Sequence, residues 1–168
     1  MAVFLEVMRA ERTVINNDVL RSIRYALDLG DAKVVEIIKL AGCEIAQSDL
    51  ANFLKKEDEE GFVECDDGLM VSFLDGLIIH KRGKMESRLD PDKKPESRLT
   101  NNTILKKLRV TFELKEEDMH KTLALAGFNV SKPELSALFR MKGHKNYRAC
   151  GDQLLRNFLK GLTIRHRG

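Results

Sequence analysis

Apolar residues recur along the chain at helical spacing, and no alternating strand pattern persists. In the first clear segment they occupy Val19, Leu20, Ile23 and Leu27. Intervals of three and four residues place such side chains on one face of a helix. Three further segments of the same kind follow before residue 83. The pattern therefore predicts an all-α fold, with four short amphipathic helices in this part of the chain.

The second half of the chain repeats the first with a shift of 85 residues. Asn16-Asn17 falls on Asn101-Asn102, and the alignment then runs without a gap to Gly83 and Gly168. Of the 68 aligned positions 19 are identical, which indicates a tandem duplication. Because four short helices bury only a small core alone, we expect two tandem copies of a four-helix unit, packed with pseudo-two-fold symmetry.

This duplication divides the chain into four parts. We expect an N-terminal extension at 1–15, a first helical repeat at 16–83, a linker at 84–100 and a second helical repeat at 101–168. The linker contains Pro91 and Pro95 and has no apolar period, which is typical of an exposed connection.

Polar residues mark the predicted helix ends. Asn16 and Asn101 stand where the first helix of each repeat begins, and an asparagine oxygen is a favoured acceptor for a free backbone N–H there. Asp66-Asp67 and Asp152 precede the fourth helices, so we expect carboxylate caps at those ends.

Two further pairs of identical residues are explained by packing. Gly76 and Gly161 fall inside the fourth helices, where a small residue allows close helix contact. Arg24 and Arg109 lie on the first helices, and we expect each to pair with a carboxylate of its own repeat.

The two repeats carry opposite charge, although the whole chain has a net charge of only +3. The first repeat has a net charge of −6 and the second of +8. The reversal is concentrated in one loop. There the first repeat reads Glu57, Asp58, Glu59 and Glu60, and the second reads Lys142, Gly143, His144 and Lys145.

A basic face on the second repeat is the first functional hypothesis. A cationic surface that includes an aromatic ring can contact phosphates and stack a base. This predicts a non-enzymatic nucleic-acid-binding or regulatory protein with DNA or RNA as partner, although a solvated helix face has the same charge pattern. The candidate residues are Lys145, Tyr147, Arg148, Arg156, Lys160 and Arg167.

Two alternatives use the opposite charges differently. The acidic loop at 57–60 is a candidate surface for a basic protein partner, and the two repeats of different chains are candidates for head-to-tail self-association.

A helix-turn-helix within residues 117–140, or 32–55 in the first repeat, is disfavoured because Glu134 and Asp49 place a carboxylate in the first turn of the would-be reading helix.

Composition narrows the remaining classes. No apolar run reaches the length of a membrane span. Glu6 interrupts the N-terminal apolar stretch, which is therefore too short for a secretory signal peptide. Three cysteines, an odd number, do not suggest a disulfide framework. We therefore expect a cytoplasmic protein without membrane contact, metal or cofactor. A thiol enzyme built on His144, Cys150 and Asp152 is a third and weaker functional hypothesis.

Several long stretches resemble the bacterial YehS-like proteins, a family of unknown function. They include residues 16–25, 55–62 and 73–78 of the first repeat and 144–153 of the second. The resemblance extends over 15–168, and it implies a small, tandemly duplicated bacterial protein. It brings no established activity, cofactor or catalytic residue.

Overall fold

The computed structural model describes residues 14–83 and 99–168. Eight α-helices, and no strands, form the regular structure of these two ranges, which confirms the predicted all-α fold. The expected extension at 1–15 and linker at 84–100 lie almost wholly outside the described residues. In the first repeat the helices are α1 (Asn16–Ala26), α2 (Asp31–Leu40), α3 (Gln47–Phe53) and α4 (Asp67–Arg82). In the second they are α5 (Asn101–Thr111), α6 (Glu116–Leu125), α7 (Lys132–Leu138) and α8 (Asp152–Arg167).

Within each repeat the second and fourth helices form the closest pair, α2 with α4 and α6 with α8. A glycine lies at each crossing, as the sequence predicted. A β-carbon on Gly76 would overlap the carbonyl oxygen of Ile37, and one on Gly161 would overlap that of Thr122. Both crossings therefore depend on the absence of a side chain at the same repeat position.

The two repeats share one hydrophobic core, because the first helix of each packs mainly against the fourth helix of the other. Thus α1 lies on α8 and α5 lies on α4, which is the predicted pseudo-two-fold arrangement. Phe73 and Phe158, equivalent residues of the two fourth helices, are both fully buried in this core.

Reciprocal contacts at the helix ends follow the same symmetry. Arg82 of the first repeat lies 3.1 Å from the carboxylate of Glu113 in the second. Its equivalent, Arg167, lies 3.6 Å from the carboxylate of Asp28 in the first repeat and stacks over the ring of Tyr25 at 4.1 Å. Asp28 and Glu113 both have left-handed backbone, with φ of 53° and 52°. The two turns thus present matching acceptors to the two arginines.

The predicted caps are only partly correct. Asp66 caps α4 by accepting the Leu69 backbone N–H at 2.7 Å. Asn16, Asn101 and Asp152, in contrast, are the first residues of their helices rather than caps. The N-cap residues of these three helices are Ile15, Thr100 and Gly151.

The leading asparagines instead join the start of the first helix to the start of the fourth. Asn16 Nδ2 donates to the Cys65 carbonyl and to the Asp67 carboxylate, each at 2.9 Å. Asn101 makes the equivalent bonds in the second repeat, at 3.2 and 2.8 Å. These side chains satisfy buried polar groups far away in sequence, so they are not available for capping.

The second asparagine of each pair holds the loop that precedes the fourth helix. Asn17 Nδ2 donates to the carbonyls of Phe53 and Val63, while its Oδ1 accepts the Cys65 backbone N–H at 2.9 Å. Asn102 makes the same three bonds in the second repeat. Each repeat therefore depends on one asparagine to tie its longest loop to its first helix.

The prediction of an ion pair for each repeated arginine is right in one repeat and wrong in the other. Arg24 lies 3.0 Å from the Asp31 carboxylate. Arg109 instead donates to the Leu114 carbonyl at 3.0 Å, and its guanidinium stacks over the Phe139 ring at 4.6 Å. The second repeat has this ring where the first has a leucine, and a planar guanidinium packs well on an aromatic face.

Candidate nucleic-acid interface

A groove of about 670 Å³ lies between α7 and the loop that follows it. The loop is fixed to the helix by the Arg148 backbone N–H, which donates to the Ala137 carbonyl at 3.1 Å. Tight turns shape the loop itself: the N–H of Tyr147 donates to the His144 carbonyl at 2.9 Å. Three of the predicted residues, Lys145, Tyr147 and Arg148, therefore lie together on the groove wall.

The groove is cationic. Its wall carries two carboxylates, Glu116 and Glu134, so the net charge of the lining residues is +2. All the charged side chains are exposed, while Tyr147 is half-buried. The four cationic residues of the wall are Lys132, Arg140, Lys145 and Arg148.

The first repeat reverses this charge at the equivalent positions of its own helix and loop. At the equivalent positions the only cation is Lys55, against the carboxylates of Asp31, Asp49 and Glu60, which gives a net charge of −2. Lys55 Nζ donates to the Glu60 carbonyl at 3.0 Å, and it lies 2.5 Å from the point where a β-carbon on Gly61 would be. The second repeat has Asn146 in place of that glycine and Arg140 in place of Lys55.

The remaining predicted basic residues lie elsewhere. Arg156 and Lys160 line a separate cleft between α8 and α1. Arg167 holds Asp28 and Tyr25 of the first repeat. The structure thus brings together three of the six candidates and places the other three outside this groove.

Two cations of the groove were missed by the sequence reasoning, Lys132 and Arg140. Lys132 begins α7 and Arg140 lies two residues beyond its end, and the sequence indicates no functional role for this helix except that of the disfavoured reading helix. The signal was present in the repeat alignment, because Lys132 stands opposite the uncharged Gln47 of the first repeat.

The acidic loop of the first repeat is exposed throughout residues 57–60. One of its carboxylates has an internal partner, since Glu59 Oε1 accepts the Lys56 backbone N–H at 3.2 Å. The loop therefore presents a concentration of negative charge at the position where the second repeat has its lysine-rich loop.

The geometry does not favour the thiol hypothesis. Cys150 is only 3% exposed, and its burial, together with the nearby Asp152 carboxylate, raises the pKa of the thiol to about 12. Asp152 accepts a hydrogen bond from Asn101, and His144 Nδ1 accepts the Asn146 backbone N–H at 3.0 Å. A neutral, buried thiol is a poor nucleophile at physiological pH.

Neither a grouping of metal ligands nor a membrane-spanning helix is found in the described part of the chain. Within residues 14–83 and 99–168 no three His, Cys, Asp or Glu side chains are grouped so that they could hold a metal ion. In the same ranges every helix is too short or too polar to cross a membrane.

Comparison with known proteins agrees with the duplicated architecture. The model of a family described as "Protein of unknown function (DUF1456)" matches residues 16–83 and again residues 101–168. The chain is 48% identical over 152 residues to the uncharacterized protein YehS of Escherichia coli (strain K12), a match that covers 90% of this chain and 96% of that protein. No solved structure matches the chain significantly. The two family matches, one on each helical repeat, show that the chain belongs to the DUF1456 family.

Proposed function

We propose that this protein is a non-enzymatic nucleic-acid-binding protein, and that single-stranded DNA or RNA occupies the groove of the second repeat. The observation that carries the proposal is the reversal of charge between two equivalent surfaces of the duplicated fold. The groove wall has a net charge of +2 in the second repeat, and the equivalent residues have −2 in the first. Opposite charge on two copies of one fold indicates that the charge, rather than the fold, serves the binding partner.

The phosphate backbone is the part of the ligand that the cations recognise. Lys132 and Arg140 lie at the two ends of α7, while Lys145 and Arg148 come from the facing loop. Cations on both walls of a groove follow a strand of phosphates by neutralising successive charges. The proposal uses these four residues for affinity that does not depend on base sequence.

Tyr147 supplies a contact to a base. Its ring is half-buried in the groove wall, between cations at 145 and 148. An aromatic ring next to cations is the usual platform for an unstacked base. Because bases inside a duplex are stacked on one another, this feature favours single strands over double strands.

Fluorescence anisotropy with labelled single-stranded and duplex oligonucleotides tests the proposal at low salt. The test variant is Lys145→Glu with Arg148→Val, since the first repeat has these residues at the equivalent positions and tolerates them. We expect the affinity for the single strand to fall at least about tenfold, and the slope of log K against log salt to become shallower by about 0.7 for each lost phosphate contact.

Lys142→Glu is the matched control, because Lys142 belongs to the same loop but does not line the groove. It also takes the residue of the first repeat and changes the net charge by the same amount as Lys145→Glu. If the anisotropy of the labelled single strand does not rise at low salt, the proposal is overturned. If Lys142→Glu weakens binding as much as Lys145→Glu alone, binding is non-specific charge attraction and the proposal is wrong.

A second candidate function is recognition of a basic protein by the acidic loop. The exposure of residues 57–60 favours it, since side chains such as Glu57 and Asp58 are open to solvent. Capture experiments with the wild-type chain and a variant with all four acidic residues changed to Lys, Gly, His and Lys, as in the second repeat, separate the two candidates. A partner that binds only the wild type supports the acidic loop.

A further inference from the structure

A small cleft lies where α1 of the first repeat packs on α8 of the second. Its volume is about 210 Å³, which is below the range of about 300–1,000 Å³ typical of sites for drug-sized ligands. It therefore accepts a group of only a few atoms. Its walls are formed by Val14, Asp18 and Ser22 on one side and by Arg156, Leu159, Lys160 and Thr163 on the other.

The equivalent place in the other half of the molecule is occupied by an ion pair. There, between α4 and α5, Lys107 Nζ lies 2.6 Å from the Asp75 carboxylate. Pseudo-two-fold symmetry puts Ser22 in the position of Lys107 and Lys160 in the position of Asp75. A serine is too short to reach across, and a lysine in place of the aspartate removes the opposite charge. One interface is therefore joined by an ion pair of its own side chains, while the other has a cleft and no such pair at the equivalent positions.

The cleft has an excess of positive charge. Arg156 and Lys160 are exposed and lie one helical turn apart on α8, and within residues 14–83 and 99–168 neither takes part in an ion pair. Among the described residues of the wall the only acid is Asp18, and it is bound by Arg21. Two hydroxyl groups line the cleft, those of Ser22 and Thr163. The Thr163 hydroxyl already donates to the Leu159 carbonyl at 2.9 Å, so the Ser22 hydroxyl is the additional donor for an anion.

We propose that this cleft binds the phosphate group of a small molecule, held by Arg156 and Lys160 on α8 and by Ser22 on α1. The anion lies beside Lys160, in the space that the Lys107 side chain fills in the symmetric interface and that the shorter Ser22 leaves open. Arginine and lysine provide several charge-assisted donors in different directions, which suits the three or four oxygens of a phosphate. This site is separate from the groove of the second repeat and involves both repeats.

Titration of the intact chain with inorganic phosphate tests the site. Backbone amide shifts in NMR spectra identify the responding residues, with sodium acetate and sodium chloride at the same ionic strength as reference anions. We expect phosphate to shift amides of α1 and α8 near Ser22 and Lys160. Lys160→Gln is expected to weaken phosphate binding about tenfold, the effect of losing one hydrogen bond to a charged group.

A second variant fills the cleft. Ser22→Lys with Lys160→Asp places the ion pair of the symmetric interface in the cleft, and we expect this chain to fold and to lose the phosphate response. Lys145→Glu, in the other groove, is expected to leave phosphate binding unchanged, so failure here and failure of nucleic-acid binding are distinguishable.

Three results overturn the inference. They are no phosphate response in α1 and α8, a response that chloride or acetate reproduces, and a Lys160→Gln chain that binds phosphate like the wild type. If the double variant does not fold, the Lys160→Gln result decides alone.

Discussion

Gly76 of α4 lies directly against the carbonyl oxygen of Ile37 in α2, too close for a β-carbon to fit between them. The contact is with backbone, so no side chain can move away to relieve an overlap. We expect Gly76→Ala to lower the free energy of unfolding by about 3 kcal/mol, the upper range for overpacking a close contact. Urea unfolding followed by circular dichroism measures the change.

Gly68→Ala is the control for this prediction, because it makes the same chemical change in the same helix. Gly68 is exposed, and a β-carbon there would have only an ordinary contact, 3.5 Å from Asp66. Gly68→Ala should raise the free energy of unfolding by up to about 1 kcal/mol, because alanine favours the helix more than glycine does. A Gly76→Ala chain as stable as the wild type contradicts the close crossing.

Asn17 supports a second prediction about stability. Its side chain makes three hydrogen bonds to backbone groups of two other segments, including the buried Cys65 N–H. Asn17→Ala leaves these groups without their partner, and we expect a loss of about 3 kcal/mol. Asn102→Ala should cost about the same in the second repeat. Asn157→Ala removes a single exposed bond to the Gln153 carbonyl and should change stability by less than about 0.5 kcal/mol.

How far the sequence predicts this molecule depends on the kind of feature. Helix number and the shared core follow from apolar spacing, because burial of one face decides where a helix packs. The role of Asn17 does not follow, since its partners Phe53 and Val63 become neighbours only in the folded repeat. The chain alone shows a polar residue at a helix start, and capping is the usual explanation for that.

The candidate site shows the same limit. Lys145, Tyr147 and Arg148 are close in sequence, and they do form one wall of a groove. Arg156 and Arg167 lie on the same helix but contact different parts of the molecule. Arg167 pairs with Asp28 of the first repeat, whereas Arg156 lines the cleft between α8 and α1. The sequence predicts which charged residues lie on one helix face, but it does not predict which residues of the other repeat they contact.

Thiol reactivity gives a third prediction. Cys43 is half-buried, while Cys65 and Cys150 are buried. We expect a thiol reagent near pH 8 to modify Cys43 in the native protein and to reach the other two only after denaturation, because the thiolate form and access are both needed. Mass spectrometry of digested, labelled protein locates the modified residues. Rapid labelling of Cys150 in the native protein contradicts this prediction and supports the thiol hypothesis.

The raised pKa of Cys150 also predicts a loss of stability at alkaline pH. The pKa of the thiol is about 12 in the folded chain, because of burial and then the Asp152 charge, against an ordinary value of 9.0. Above pH 9 the unfolded thiol loses its proton while the folded one keeps it, so ionisation favours the unfolded state. The stabilising effect is complete below pH 9 and declines as the pH rises towards 12.

Chemical denaturation at several pH values measures this decline. Over that window the wild type should lose stability more steeply than Cys150→Ala, by up to about 1.4 kcal/mol per pH unit. Lysine and tyrosine ionisation affects both chains, so the difference between them isolates the thiol. Parallel slopes for the two chains contradict the prediction.

The Lys107–Asp75 pair joins the two repeats and allows a prediction about how they are held together. Both side chains are largely buried, with exposed fractions of 25% and 19%, so solvent screens the pair less than a surface ion pair. We expect Asp75→Lys to cost about 2 kcal/mol, because it sets two lysines against each other between α4 and α5. Adding Lys107→Asp to that variant restores opposite charges and should recover more than half of the loss. A double-mutant cycle on the four chains measures the coupling. If the two substitutions prove additive, the pair does not stabilise the interface, and α5 is held on α4 by the shared apolar core and by other contacts such as that of Arg82 with Glu113.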